Sequence, residues 1–309
     1  MRKIVITPRG FFNYGKAYIR QLEEAGFTVD ANGTGKAYTV EQFYDHCRDA
    51  EALIVGVEQV NKAFIDACPN LKAVVKFGVG TDNIDIPYCQ EKGIYVGRCV
   101  GSNSRSVAEL VIAFIMAEMR DLCLSLSETK QGAWNKYTGG EVLGKTIGII
   151  GFGAIGKHLA RMANGLGMNV LAYDVFPIDE ETAKTHSVTV TTLDAIYETA
   201  DFISVHVPLN KDTENMIALP QLQKMKPNCV LINSARGGIV SEKDLYQALT
   251  EKMIRAAYFD VFTSEPPKAD EPLMALDNFH LTPHVGSRTS EAELRTCQIA
   301  TEQILGALK

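Results

Sequence analysis

Residues 146–156 read TIGIIGFGAIG, and the fold follows from this stretch. A short apolar, β-branched run ends in Gly151-Phe152-Gly153-Ala154-Ile155-Gly156, and a helical stretch follows from Lys157 to about Gly165. A strand that turns on glycines straight into a helix is the fingerprint of a dinucleotide-binding unit. Gly151 permits the tight turn, Gly153 lets the backbone approach a pyrophosphate, and Gly156 lets helix and strand pack closely. The N-terminus of that helix supplies free N–H groups for the phosphates. The next apolar run, NVLAYD (169–174), ends in Asp174, 18 residues after Gly156. A carboxylate there accepts hydrogen bonds from the adenosine ribose and repels a 2′-phosphate, so the expected cofactor is NAD. A flavin would use the same turn, but such sites usually lie at the N-terminus, and this one follows a complete preceding domain.

Outward from this turn, apolar runs alternate with helical stretches. Downstream lie SVTV (187–190), FISVHV (202–207), VLINS (230–234), AAYFDV (256–261) and FHLTP (279–283). Upstream lie KIVITP (3–8), TVDAN (28–32), ALIVGV (52–57), AVVKFG (73–78) and IYVG (94–97). This alternation predicts an α/β protein with two doubly wound parallel sheets. Between the two series, SNSRSVAELVIAFIMAEMRD (102–121) reads as a helix too apolar for the surface, packing between domains or subunits. The last helix opens at Ser290, with Glu293 three residues on as a capping box, and it is the only element left after the second series. The expectation is therefore a discontinuous first domain, 1–100 plus 286–309, around a second domain at 101–285.

With 309 residues the chain suits two domains, and 46% hydrophobic against 22% charged residues supports two packed cores. A net charge of −6 argues against nucleic acid or an anionic membrane as the partner. No apolar run approaches the roughly 20 residues that span a bilayer. The seven cysteines are scattered and form no CxxC pair, which fits reduced thiols in the cytoplasm and neither a disulfide framework nor a metal site.

Three polar residues follow strand ends in the second series, where ligands bind in open α/β sheets. They are Arg236 before Gly237-Gly238, Glu265 in TSEPP, and His284 before Val285-Gly286. Arginine offers a planar fork to a carboxylate, and a histidine beside a carboxylate can pass a proton. Taken singly, each has an ordinary structural explanation: a strand cap, a solvated turn, a satisfied histidine. Their common placement beside a dinucleotide turn is what makes them candidates.

GFGAIG, Asp174, NSARGG, DVFTSEPP and TPHVG, in this order, resemble the D-isomer-specific 2-hydroxyacid dehydrogenase family. FGVGTDNID (77–85) and NSRSVAEL (103–110) extend the resemblance over nearly the whole chain, and SNSRSVAELVI with SARGGIV is most similar to its phosphoglycerate dehydrogenase branch. The resemblance implies a Rossmann NAD-binding domain and a smaller flavodoxin-like substrate domain, with the active site between them. It implies that Arg236 binds the substrate carboxylate, and that Glu265 pairs with His284, the general acid/base. Val79, Gly80 and Asn103 would line the substrate site. Ala154, Ile155, Val207, Ser234, Ala235, Asp260 and Gly286 would touch NAD, Asp260 accepting from the nicotinamide carboxamide. His206 would shape the cofactor wall, and a homodimer or homotetramer is implied, with Trp134 at a dimer or hinge contact.

The sequence departs from that branch in one place. Phosphoglycerate enzymes carry a basic residue after the third strand, where this chain has Gly56-Val57-Glu58-Gln59, and a carboxylate there repels a phosphate. Lys76, Arg98 or Arg105 are the candidate replacements. The chain stops at Lys309, so a C-terminal regulatory domain and feedback through it are not expected. The leading expectation is an NAD-dependent oxidoreductase for a small D-2-hydroxy acid. The alternatives are D-3-phosphoglycerate dehydrogenase itself and, from another class, an NAD-sensing corepressor-like binding protein.

Overall fold

The computed structural model describes residues 2–309. The chain divides into two compact units, Met1–Asn103 with Ser287–Lys309, and Ser104–Gly286. The first contains β1 (Lys3–Ile6), β2 (Thr28–Ala31), β3 (Ala52–Val55), β4 (Ala73–Lys76) and β5 (Tyr95–Arg98). All pairings are parallel in the order β2-β1-β3-β4-β5, a flavodoxin-like arrangement. The interior strand β3 (ALIV) is buried at every residue, whereas the edge strand β2 (TVDA) has no buried residue. A parallel sheet is covered on both faces, so its central strands read as unbroken apolar runs and its edges carry the polar ones.

The C-terminal helix Ser290–Ala307 belongs to this unit, burying Cys297, Ala300 and Ile304 among Ile4, Ile6 and Phe11. Its cap is Thr289, not Ser290. The Thr289 hydroxyl accepts from the Ala292 N–H at 3.2 Å. Glu293 does not turn back to the cap; it is buried and receives Arg288 Nη1 at 2.8 Å.

The second unit contains β6 (Thr146–Ile150), β7 (Asn169–Tyr173), β8 (Thr189–Val190), β9 (Phe202–Val205), β10 (Val230–Asn233), β11 (Ala256–Phe259) and β12 (Phe279–Leu281). Its order is β12-β11-β10-β9-β6-β7-β8, again parallel throughout. Chain direction across the sheet reverses between β6 and β9, the switch point at which open α/β sheets bind ligands. Every strand forms within about two residues of its predicted ends.

The apolar helix, Ser104–Met119, is a core element of this unit. Ala108, Val111, Phe114, Ile115 and Met119 pack with Ile147, Ile149 and with Leu159, Ala160 and Ala163 of the helix Ala154–Gly165. Burying Phe114 and Ile115 contributes about 1.5–3 kcal/mol each. The next helix, Leu122–Lys130, has no buried residue, and Leu122, Leu124, Leu126 and Trp134 are exposed. No helix among the described residues is long and apolar enough to cross a membrane.

Candidate active site

Strand register sets the site of the second unit. Ile150, Val205, Asn233, Phe259 and Leu281 are paired neighbours. The residues one step beyond them, Gly151, His206, Ser234, Asp260 and Thr282, therefore form a row along the carboxyl edge of β6, β9, β10, β11 and β12.

At one end of this row the glycine turn forms a cradle. Gly151 has φ +99°, and a Cβ there would lie 2.7 Å from the carbonyl of His206. A Cβ on Gly156 would lie 2.5 Å from the Gly151 carbonyl oxygen, so the helix sits directly against the turn. Gly153 caps the helix Ala154–Gly165 without a side-chain bond and has open space where its Cβ would be. The N–H groups of that first turn thus remain for a ligand. Asp174 accepts from the N–H of Phe152 at 2.6 Å and of Phe176 at 3.0 Å, which ties the carboxylate to the turn. Ser234 Oγ, beside His206 in the row, is buried and without a partner. These residues fit a dinucleotide: a close backbone approach, an uncapped helix start, an acidic residue after the second strand and an unused hydroxyl.

The three polar candidates follow β10, β11 and β12 in turn. His284 Nδ1 lies 2.8 Å from Glu265 Oε2, and Glu265 Oε1 accepts from the Phe262 N–H at 3.0 Å. The pair occupies one ring nitrogen, so Nε2 is the atom that would exchange a proton with substrate. His284 adopts φ +54°. Arg236 is half-buried, with Nη1 on the Ala235 carbonyl at 2.7 Å. Its loop is shaped by Asn233, which is fully buried; the Asn233 amide donates to the Arg236 carbonyl at 2.8 Å and its oxygen accepts from the Ala235 N–H at 3.0 Å. Sequence reasoning missed Asn233, although an asparagine that bonds its own backbone two residues on is a known turn signal. It also missed Thr282, which donates to Asp260 at 2.5 Å.

Val207 lies just beyond the row and is half-buried. His206 shares a 2.9 Å hydrogen bond between Nε2 and Ser204 Oγ, while its Nδ1 is shielded and unpartnered. Burial pushes its pKa down to about 3, so the ring is uncharged at neutral pH and ill-suited to proton donation there.

The first unit holds the remaining candidates. Val79 and Gly80 follow β4 in a loop opened by Gly78, whose φ is +147° and whose carbonyl accepts from the Cys99 N–H. Asn103 ends this segment and is half-buried. Glu58 is held in place: Oε2 accepts from the Thr7 hydroxyl at 2.7 Å and from the Gly56 N–H at 3.2 Å. Lys76 lies on the other side of Gly56, with Nζ on the Gly56 carbonyl at 2.5 Å and Asn83 Oδ1 at 2.7 Å. Arg98 is exposed on the edge strand β5, whereas Arg105 belongs to the second unit, on the helix Ser104–Met119, where it pairs with Glu109 at 2.8 Å. Of the two proposed replacements in the first unit, Lys76 bonds Gly56, the residue whose N–H also holds Glu58.

The profile described as D-isomer specific 2-hydroxyacid dehydrogenase, NAD binding domain, matches residues 112–286. D-3-phosphoglycerate dehydrogenase of Methanocaldococcus jannaschii is 40% identical over 295 residues, 94% of this chain and 55% of the relative. Hydroxypyruvate reductase of Thermotoga maritima is 38% identical over 265 residues, 84% of this chain and 85% of the relative. The D-lactate dehydrogenase of Aquifex aeolicus, solved with NAD and lactic acid, superimposes with a TM-score of 0.82 at 26% identity, covering 99% of this chain and 95% of that one. The chain belongs to the D-isomer specific 2-hydroxyacid dehydrogenase family. It spans about half the length of the phosphoglycerate dehydrogenases that it matches, 55% and 50% in two cases.

Proposed function

We propose that this protein is an NAD-dependent oxidoreductase that interconverts a small, unphosphorylated D-2-hydroxy acid and its 2-oxo acid. The observation that carries this reading is the His284–Glu265 pair at 2.8 Å, on the same sheet edge as the glycine cradle. When bound, NAD supplies or accepts the hydride. His284 Nε2 gives a proton to the forming hydroxyl or takes it back, and Glu265 orients the ring and stabilises its charged form. Arg236 offers its guanidinium to the substrate carboxylate, and the backbone at Val79 and Gly80, with Asn103, supplies the further candidate contacts to substrate. Asp174 selects NAD over NADP, and Ala154, Ile155, Val207, Ser234, Ala235 and Gly286 line the cofactor site.

Glu58 disfavours a phosphate on the substrate, because a carboxylate repels it. Its carboxylate is fixed by Thr7 and Gly56, and Lys76 is already engaged by Gly56 and Asn83. Following NADH oxidation with glyoxylate, hydroxypyruvate, pyruvate and 3-phosphohydroxypyruvate tests the reading. Turnover is expected on the unphosphorylated acids, with kcat/KM about 100-fold lower on the phosphorylated one, the usual effect of opposed like charges. NADPH should serve poorly. Failure on every acid would sink the enzymatic reading and leave an NAD-binding protein; preference for the phosphorylated acid would refute the role of Glu58. The phosphoglycerate dehydrogenase reading would then be the better one.

The exposed apolar side chains Leu122, Leu124, Leu126 and Trp134 support a homo-oligomer formed through this segment. Sedimentation should report a dimer or tetramer, and Leu124→Glu with Leu126→Glu should dissociate it. A native monomer would refute this assignment.

A further inference from the structure

Asp260 is 2% exposed, and three donors surround its carboxylate. Thr282 Oγ1 and the Val285 N–H donate to Oδ1 at 2.5 and 2.8 Å, and the Gly286 N–H donates to Oδ2 at 2.7 Å. Among the described residues none of these partners is a cation, so backbone and hydroxyl dipoles alone offset the cost of burying the charge. The three donors bracket His284 on both sides. His284 itself stands at φ +54°, a left-handed backbone that an L residue rarely adopts unless its surroundings impose it. A Cβ on Gly286 would come within 2.9 Å of Asp260 Oδ2, so the turn closes onto the carboxylate only with glycine there.

The other half of the pair is anchored two residues further along the same strand end. The Phe262 N–H donates to Glu265 Oε1, whose second oxygen meets His284. Imidazole and carboxylate therefore both depend on the segment that follows β11.

We propose that Asp260 is a positioning residue of the proton-transfer site: it fixes the turn on which His284 stands, a role distinct from accepting the cofactor's carboxamide. The two roles predict different measurements. A clamp on the His284 turn acts on the chemical step, because about 1 Å of misplacement of a catalytic group costs about 100-fold. A carboxamide acceptor acts on cofactor binding, where losing a hydrogen bond to a charged group weakens affinity about tenfold or more. The proposal rests on His284 being the proton-transfer residue, and the test is built so that the two can fail separately.

In Asp260→Asn the amide opposes at least one of the backbone N–H groups that now donate to the carboxylate. At saturating NADH its kcat is expected to fall about 100-fold, while NADH affinity, read by fluorescence titration, stays close to wild type. The Val285 and Gly286 amides should exchange hydrogen faster. Thr282→Val should shift rate and exchange in the same direction to a smaller extent, and Thr282→Ser, which keeps the hydroxyl, should restore both. In the double variant His284→Ala with Asp260→Asn, the second substitution should add nothing, since a positioning residue has no effect once its client is gone.

An unchanged kcat in Asp260→Asn, losses that multiply in the double variant, or a tenfold loss of NADH affinity with kcat intact would each overturn the proposal. Should the wild-type protein turn over no 2-oxo acid, the exchange rates at Val285 and Gly286 still decide: no acceleration in Asp260→Asn refutes the clamp. If that variant does not fold, the Thr282→Val and Thr282→Ser pair carries the same comparison.

Discussion

Replacing His284 by alanine is expected to lower kcat by about two to four orders of magnitude, the usual contribution of a positioned general acid. Nothing else should change much. The imidazole is 48% exposed and its side-chain partner is Glu265, so thermal stability and NADH affinity should stay near wild type. Glu265→Gln should give a smaller loss, because the amide keeps a polar group beside the ring but cannot stabilise its charge. If His284→Ala reduces its substrate at the wild-type rate, another group delivers the proton, and the assignment fails.

The second large effect is expected at Gly237, which the sequence marks only as a neighbour of Arg236. A Cβ there would run into the carbonyl carbon of Phe262 and the nitrogen of Thr263. These are backbone atoms and cannot rotate aside. The loop after β10, which carries Arg236, and the loop after β11, which carries Glu265, touch main chain to main chain at this point. Gly237→Ala should force them apart, destabilising the fold by about 1–3 kcal/mol through overpacking. Displacing Arg236 from the Glu265 side should also reduce kcat/KM by about 100-fold. Chemical denaturation and steady-state kinetics on the same preparation check both parts. Wild-type activity with a stable fold would show that the loops can separate without consequence for the site.

Much of the fold was legible because its signals are local. Unbroken apolar runs such as ALIV and FISV announce buried parallel strands, and polar ones such as TVDA fall at edges. The glycine turn was legible for a stereochemical reason: the positive φ of Gly151 and the close approach at Gly156 exclude side chains. The cap of the last helix was misplaced by one residue because Thr289 and Ser290 offer the same hydroxyl chemistry, and only the three-dimensional path of the chain chooses between them. Glu293 looked like a capping partner, yet burial beside Arg288 claimed it instead. The helix Ser104–Met119 was too apolar for a surface, but its composition did not reveal that it covers the second sheet.

The sequence by itself determined the parallel α/β architecture, the dinucleotide turn with its acidic partner Asp174, and the family. All of these depend on residues close together along the chain, where periodicity and backbone stereochemistry leave few choices. Only the tertiary structure decided which groups meet. It brought Glu265 to His284 across 19 positions, took both oxygens of Asp260 for the turn behind that histidine, and fixed Glu58 between Thr7 and Gly56. Such pairings follow from how neighbouring strands are registered and where each loop leaves its strand. That is set by the packing of the whole sheet, and no local stretch encodes it.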